Sequence, residues 1–139
     1  MSKTTTGRCL CGDLTYEFTG EPKWLSYCHC ESCRRQVSSP VAAFVGLDRK
    51  QFRYTHGTPT RFVSSPGVTR SFCGRCGSPM SFEGEKWPGE IHLYTGTLSD
   101  PAAFAPTEHV RVAEKLPWFE VADQLPRHPY GGWSSDGAS

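Results

Sequence analysis

The seven cysteines of this chain fall into three groups: Cys9-x-Cys11, Cys28-x-Cys30-x-x-Cys33 and Cys73-x-x-Cys76. A thiolate is both a nucleophile and a metal ligand. Zinc takes four protein ligands in a closed structural site and three where one position is kept for chemistry. Seven divides into four and three, and the odd count excludes a fully paired disulfide framework within one chain. Neighbouring residues indicate which groups combine. Gly12 follows Cys11 and Gly77 follows Cys76. A glycine there lets the chain turn back through positive φ, so that backbone amides point at the thiolates. The middle group has no such glycine and runs on as Cys33-Arg34-Arg35. We therefore assign Cys9, Cys11, Cys73 and Cys76 to one tetrahedral zinc site and Cys28, Cys30 and Cys33 to a second ion.

Spacing leaves two readings of the trio. It is an open, catalytic zinc site, or a second structural site completed by His56, His92 or His109. A redox disulfide between Cys30 and Cys33 is discounted, because the thioredoxin-like βαβ context is missing. Three thiolates on Zn²⁺ carry net negative charge, which Arg34 and Arg35 could offset. The same guanidinium forks suit a substrate carboxylate, and the bland alternative is that one simply points to solvent. His29 lies between two ligands and could shuttle a proton, or face away from the metal, since neighbours in extended chain alternate sides. Trp24, Tyr27, Phe44, Phe72, Trp87 and Trp118 are read as core residues.

The elements that must position these groups are mostly strands. Leu14-x-Tyr16-x-Phe18 alternates, and Val41–Leu47 is a short apolar run. Phe52-x-Tyr54 and Phe62-x-Ser64 flank a turn at His56-Gly57-Thr58-Pro59. Val68–Cys73, Met80–Phe82, Ile91-x-Leu93 and His109-x-Arg111 supply further strands. Helix is confined to one turn over Glu31–Gln36, because Pro117 interrupts the longer candidate Val112–Leu125. Gly 14 and Pro 11 in 139 residues make about 18% of the chain, against roughly 12% in average usage. That composition, with a mean hydropathy of −0.48, describes a loop-rich domain with a thin core that gains from a metal staple. The length suits one domain over 7–125, with a flexible N-terminus at 1–6 and a C-terminal tail over 126–139, whose stretch from Tyr130 to Ser139 is small, polar and mobile unless Trp133 docks.

A formal charge of +1 gives no electrostatic basis for binding nucleic acid, and thiolates around two Zn²⁺ would lower it further. No segment is long and apolar enough for a bilayer, and the first six residues contain no secretory apolar run. We expect a reducing cytoplasm, where clustered cysteines mean metal or catalysis more often than disulfides.

Three motifs together carry a resemblance. Gly7-Arg8-Cys9-Leu10-Cys11-Gly12, Cys28-His29-Cys30-Glu31-Ser32-Cys33-Arg34-Arg35 and Phe72-Cys73-Gly74-Arg75-Cys76-Gly77-Ser78-Pro79 stand in the order seen in the glutathione-dependent formaldehyde-activating enzyme family, which also includes the centromere protein V group. Gly96-Thr97-Leu98-Ser99-Asp100-Pro101 fits as well, and coverage runs roughly from Gly7 to Leu125. The resemblance implies a mainly β fold of small antiparallel sheets around a zinc knuckle, called a β-tent. It also implies a catalytic trio and a carbon–sulfur lyase that joins the glutathione thiol to formaldehyde. Relatives often carry a glycine shortly after the arginines, where this chain has Val37-Ser38-Ser39-Pro40. The other function class is a non-catalytic zinc module for a protein or chromatin partner.

Overall fold

The computed structural model describes residues 3–131, so the expectations for Trp133 and the end of the tail lie outside the described residues. The fold is mainly β, as the alternation and breakers predict. Its described residues form two compact units, one from the chain up to Trp24 with Val45–Phe104, the other from Leu25–Phe44 with the chain from Ala105 onward.

In the first unit β1 (Thr4–Arg8) and β2 (Thr15–Thr19) form an antiparallel hairpin with Thr4 opposite Thr19 and Arg8 opposite Thr15. Strand β2 alternates as its sequence predicts, with Tyr16 and Phe18 buried. Its other edge takes β5 (Phe52–His56), bringing the Tyr16 and Phe52 rings to 5.3 Å. Thr4–Thr6, expected to be flexible, are the first residues of β1. This strand has no apolar alternation of its own; pairing with β2 accounts for it. The other sheet of this unit is an antiparallel meander of β6 (Thr60–Ser65), β7 (Val68–Phe72), β8 (Pro79–Gly84) and β9 (Glu90–Tyr94). β9 then neighbours β4 (Ala42–Asp48). Met80, Ile91, Leu93, Val45 and Leu47 of this sheet are buried, whereas Phe62 and Val63 of β6 are exposed.

In the second unit β3 (Trp24–Cys28) pairs in parallel with the two-residue β10 (His109–Val110), Tyr27 opposite His109 and Cys28 opposite Val110. Helix α1 (Glu31–Val37) follows two residues after β3. Cys30 caps its N-terminus, with Sγ accepting from the Cys33 amide at 3.3 Å. Glu31 in the first turn and Arg34 and Arg35 in the last complement the helix dipole. Ser38 closes the helix in the left-handed region at φ 52. The Val112–Leu125 candidate forms only a 3-10 turn over Val112–Glu114, in keeping with the break expected at Pro117.

Candidate metal centres

Two of the three cysteine groups sit in hairpin turns of the first unit. Cys9 and Cys11 occupy the β1–β2 turn, and Cys73 and Cys76 the β7–β8 turn. The two turns are built alike. The Cys9 amide donates to Leu14 O at 3.1 Å, and the Cys73 amide to Ser78 O at 2.9 Å. Gly12 and Gly77 adopt φ of 85 and 81, the left-handed conformation expected of them. The amides of Leu14 and Asp13 then donate to Cys9 Sγ at 3.3 Å and Cys11 Sγ at 3.5 Å. Those of Arg75 and Cys76 both reach Cys73 Sγ at 3.4 Å. The Leu10 amide donates to Ser78 Oγ at 2.9 Å, tying one turn to the other.

All four Sγ atoms lie within 4.8 Å of one another, with 3.6 Å between Cys9 and Cys11 and 3.7 Å between Cys11 and Cys73. Zn–S bonds of about 2.3 Å at tetrahedral angles place sulfurs about 3.8 Å apart, so this quartet fits zinc. The Ser78 hydroxyl and amide hold the Cys76 thiol down at about 5. Cys76 is thus ready to be a thiolate, whereas at Cys11 the Asp13 amide is outweighed by burial and the neighbouring thiols, which push the thiol up to about 11.

In the second unit Cys28, Cys30 and Cys33 bring their Sγ atoms within 4.8 Å of one another, at the end of β3 and the start of α1. No fourth ligand atom joins them within that distance among the described residues. The three histidines weighed as a fourth ligand are committed elsewhere. His56 Nδ1 meets Asp13 O at 2.8 Å, His92 Nε2 meets Glu90 at 3.0 Å, and His109 lies between His29 and Asp123. Hydrogen bonds to Cys30 and Cys33, then burial, push the Cys28 thiol well above its ordinary value. Crowded thiols of this kind resist ionising together, and a divalent cation reverses that preference. The trio therefore also fits a metal, with three sulfur donors. None of the seven cysteines is in a disulfide.

His29 turns away from the trio, the reading that alternation favoured. Its ring is buried, Nε2 stands 2.8 Å from His109 Nδ1, and burial above all holds the imidazole down at about 4. Arg34 is a strut: Nε donates to His29 O at 3.1 Å and one terminal nitrogen to Glu114 O at 3.3 Å. Arg35 is exposed and pairs with Glu31 at 2.8 Å. Both arginines border a groove of about 580 Å³ along α1, completed by Glu31, Ser38–Pro40, Leu116 and Trp118. The core reading fails for Trp118, which is 71% exposed on this groove rather than buried. Its loop follows the 3-10 turn and has no alternating pattern that would turn it inward.

Sequence reasoning missed the row His29–His109–Asp123. Its members are distant in sequence: the pairing of β10 with β3 brings His109 to His29, and the bridge of His109 with Arg127 brings the segment of Asp123 alongside. No helix among the described residues is long and apolar enough to cross a membrane.

The comparisons accord with this architecture. A crystal structure of a Rhodobacter sphaeroides protein shares the fold, with a TM-score of 0.58 over 88% of this chain and 98% of the other at 18% identity. A Schizosaccharomyces pombe protein named as an uncharacterised lyase is 36% identical over 76 residues, which is 55% of this chain and 55% of that one. The match thus spans about half the length of that curated relative. The family model of the glutathione-dependent formaldehyde-activating enzymes matches residues 4–114, and the chain belongs to that family.

Proposed function

We propose that this chain is a zinc-dependent carbon–sulfur lyase that joins or cleaves the adduct of a small thiol, glutathione, with an aldehyde such as formaldehyde, in a reducing cytoplasm. The observation that carries the reading is the trio, three converging thiols with no fourth protein ligand atom beside them among the described residues. Family membership and the lyase name of the fission-yeast relative support it. Cys28, Cys30 and Cys33 would hold the catalytic ion, and Cys9, Cys11, Cys73 and Cys76 a structural one. Bound zinc supplies Lewis acidity and makes a thiolate available at neutral pH.

The net reaction forms one C–S bond, converts the carbonyl to a hydroxyl and moves the thiol proton to that oxygen. The chain's own residues orient the partners. The groove along α1 takes the body of the thiol, with Trp118 as an apolar wall. Arg35 is the guanidinium more available to a substrate carboxylate, because an exposed pair such as its contact with Glu31 is worth only about 0–1 kcal/mol and exchanges readily. Arg34 ties the His29 carbonyl to that of Glu114 and lends its positive charge to the same wall.

Thiols and formaldehyde combine unaided, so the test compares zinc-loaded protein with a protein-free control and with Cys30→Ser. We expect a rate above both and a change in the trio's spectrum when cobalt-loaded protein meets glutathione. If no thiol–aldehyde pair is accelerated and no thiol alters the spectrum, the lyase reading fails. A non-catalytic zinc module would then be the better account.

A further inference from the structure

Asp123, His109 and His29 form a hydrogen-bonded row inside the second unit that none of the chemistry above uses. Asp123 Oδ1 accepts from the Arg127 guanidinium at 2.8 Å and from the Leu125 amide at 3.0 Å. Its Oδ2 lies 2.9 Å from His109 Nε2. An ionised carboxylate only accepts, so His109 carries its proton on Nε2 and offers the Nδ1 lone pair. That lone pair accepts Nε2–H of His29 at 2.8 Å. His29 Nδ1 is left buried without a hydrogen-bond partner. A bare acceptor in that position costs less than an orphaned N–H, which favours the same order of protons.

The row grips one residue, and that residue lies between two thiols. His29 donates its amide to Val110 O at 3.1 Å and accepts from Arg34 Nε on its carbonyl at 3.1 Å. The His29 and His109 ring planes lie within 29° of each other with centroids 5.1 Å apart, as the in-plane hydrogen bond requires, and Tyr27 stacks on His109 at 4.7 Å. Both imidazoles are 1% exposed. In extended chain the side chains of 28 and 30 point opposite to that of 29. Anchoring the His29 ring inward therefore aims Cys28 and Cys30 the other way.

We propose that Asp123 and His109 are positioning residues for the Cys28–Cys30–Cys33 centre, locking the face and ring orientation of His29 so that its two flanking thiols meet a metal ion already aligned. The inference rests on reading the trio as a metal centre. Residues that orient ligands in this way typically contribute 10–100-fold in metal affinity.

The test titrates the metal-free full chain with Co²⁺ and follows its ligand-field and thiolate charge-transfer bands in wild type, Asp123→Asn, His109→Gln and His109→Leu. The quartet in the same molecule is the internal reference. We expect the trio to lose about 10–100-fold in affinity in Asp123→Asn and His109→Leu while the quartet is unchanged. His109→Gln keeps one donor and one acceptor and should retain more affinity than His109→Leu; a mere packing role would give the opposite order. Long-range ¹H–¹⁵N correlations on the zinc-loaded wild type should show His29 protonated at Nε2. That measurement decides the matter even if a variant fails to fold. Protonation at Nδ1, or equal trio affinity in all four proteins, overturns the positioning role and leaves the metal centre standing. A wild type that binds Co²⁺ at the quartet alone overturns both.

Discussion

Glu90 accepts from His92 Nε2 at 3.0 Å and from Lys23 Nζ at 2.9 Å, with its side chain only 12% exposed. The His92 bond, together with Lys23, outweighs burial and holds the carboxyl at about 2, below its ordinary 4.5. Burial in turn holds His92 down, so the ring donates as a neutral imidazole to a carboxylate. A depressed carboxyl stabilises the fold fully above the unfolded value near 4.5, and that stabilisation is lost as pH falls towards 2. Glu90→Gln should cost roughly 1.5–3 kcal/mol at neutral pH, the range for hydrogen bonds to charged groups. The gap in melting temperature between the two proteins should close as pH drops through that window. Acid strips thiolate-bound metal from both alike, so the gap between them is what thermal melts should follow; a gap that stays constant rules out the ionised pair. Trp118 makes the complementary case. At 71% exposure it holds little of the fold, so Trp118→Ala should shift stability by no more than about 0.5 kcal/mol. If the groove binds the thiol, the same change should raise KM severalfold and leave kcat nearly unaltered in steady-state assays.

The elements with a clear period were legible. Strand β2 alternates because one face packs on Phe52, and the apolar run in β4 marks a strand with few polar positions. Strands β1 and β3 were not singled out, for a physical reason: Thr4–Arg8 contains a glycine and no apolar stripe, and Trp24–Cys28 does not alternate. Each exists through its partners, β2 for one and β10 and β4 for the other. The cysteine groups were legible because zinc knuckles write their spacing and their glycines into a few adjacent residues. The His29–His109–Asp123 row was not, since parallel pairing across eighty positions leaves no local trace. The C-terminus of α1 shows a local rule being broken. Ser38 occupies the left-handed position where a helix ordinarily ends on glycine, at a cost of roughly 1–2 kcal/mol for a side chain with Cβ. Its amide still caps the helix by donating to Arg34 O. Ser38→Gly should therefore stabilise the protein by about 0.5–1 kcal/mol after the added freedom of the unfolded chain is subtracted, readable as a shift in denaturation midpoint. No gain would mean that Ser38 compensates its strain through contacts along the groove.

At the scale of the whole molecule, the two cysteine groups differ most in the length of chain they close. The quartet joins residues 62 positions apart, Cys11 and Cys73, and so ties the first hairpin to the β7–β8 turn. The trio spans one strand end and one helical turn and closes no long loop. Cross-linking distant segments restricts the unfolded chain far more than cross-linking near neighbours. A structural zinc contributes roughly 10–16 kcal/mol in zinc-finger peptides, comparable to the roughly 5–15 kcal/mol by which an entire domain is stable. Cys73→Ser should accordingly yield unfolded or insoluble protein, while Cys30→Ser stays folded with a modestly lower melting temperature and loses the weaker ion. Metal analysis of wild type refolded in excess zinc should plateau near two ions per chain, and a chelator should remove the trio's ion first, before the cooperative unfolding that follows loss of the second. The decisive comparison is the pair of melts. Equal damage from the two substitutions would show that both groups carry the fold, and a plateau at one ion would show that the seven thiols do not divide into two centres.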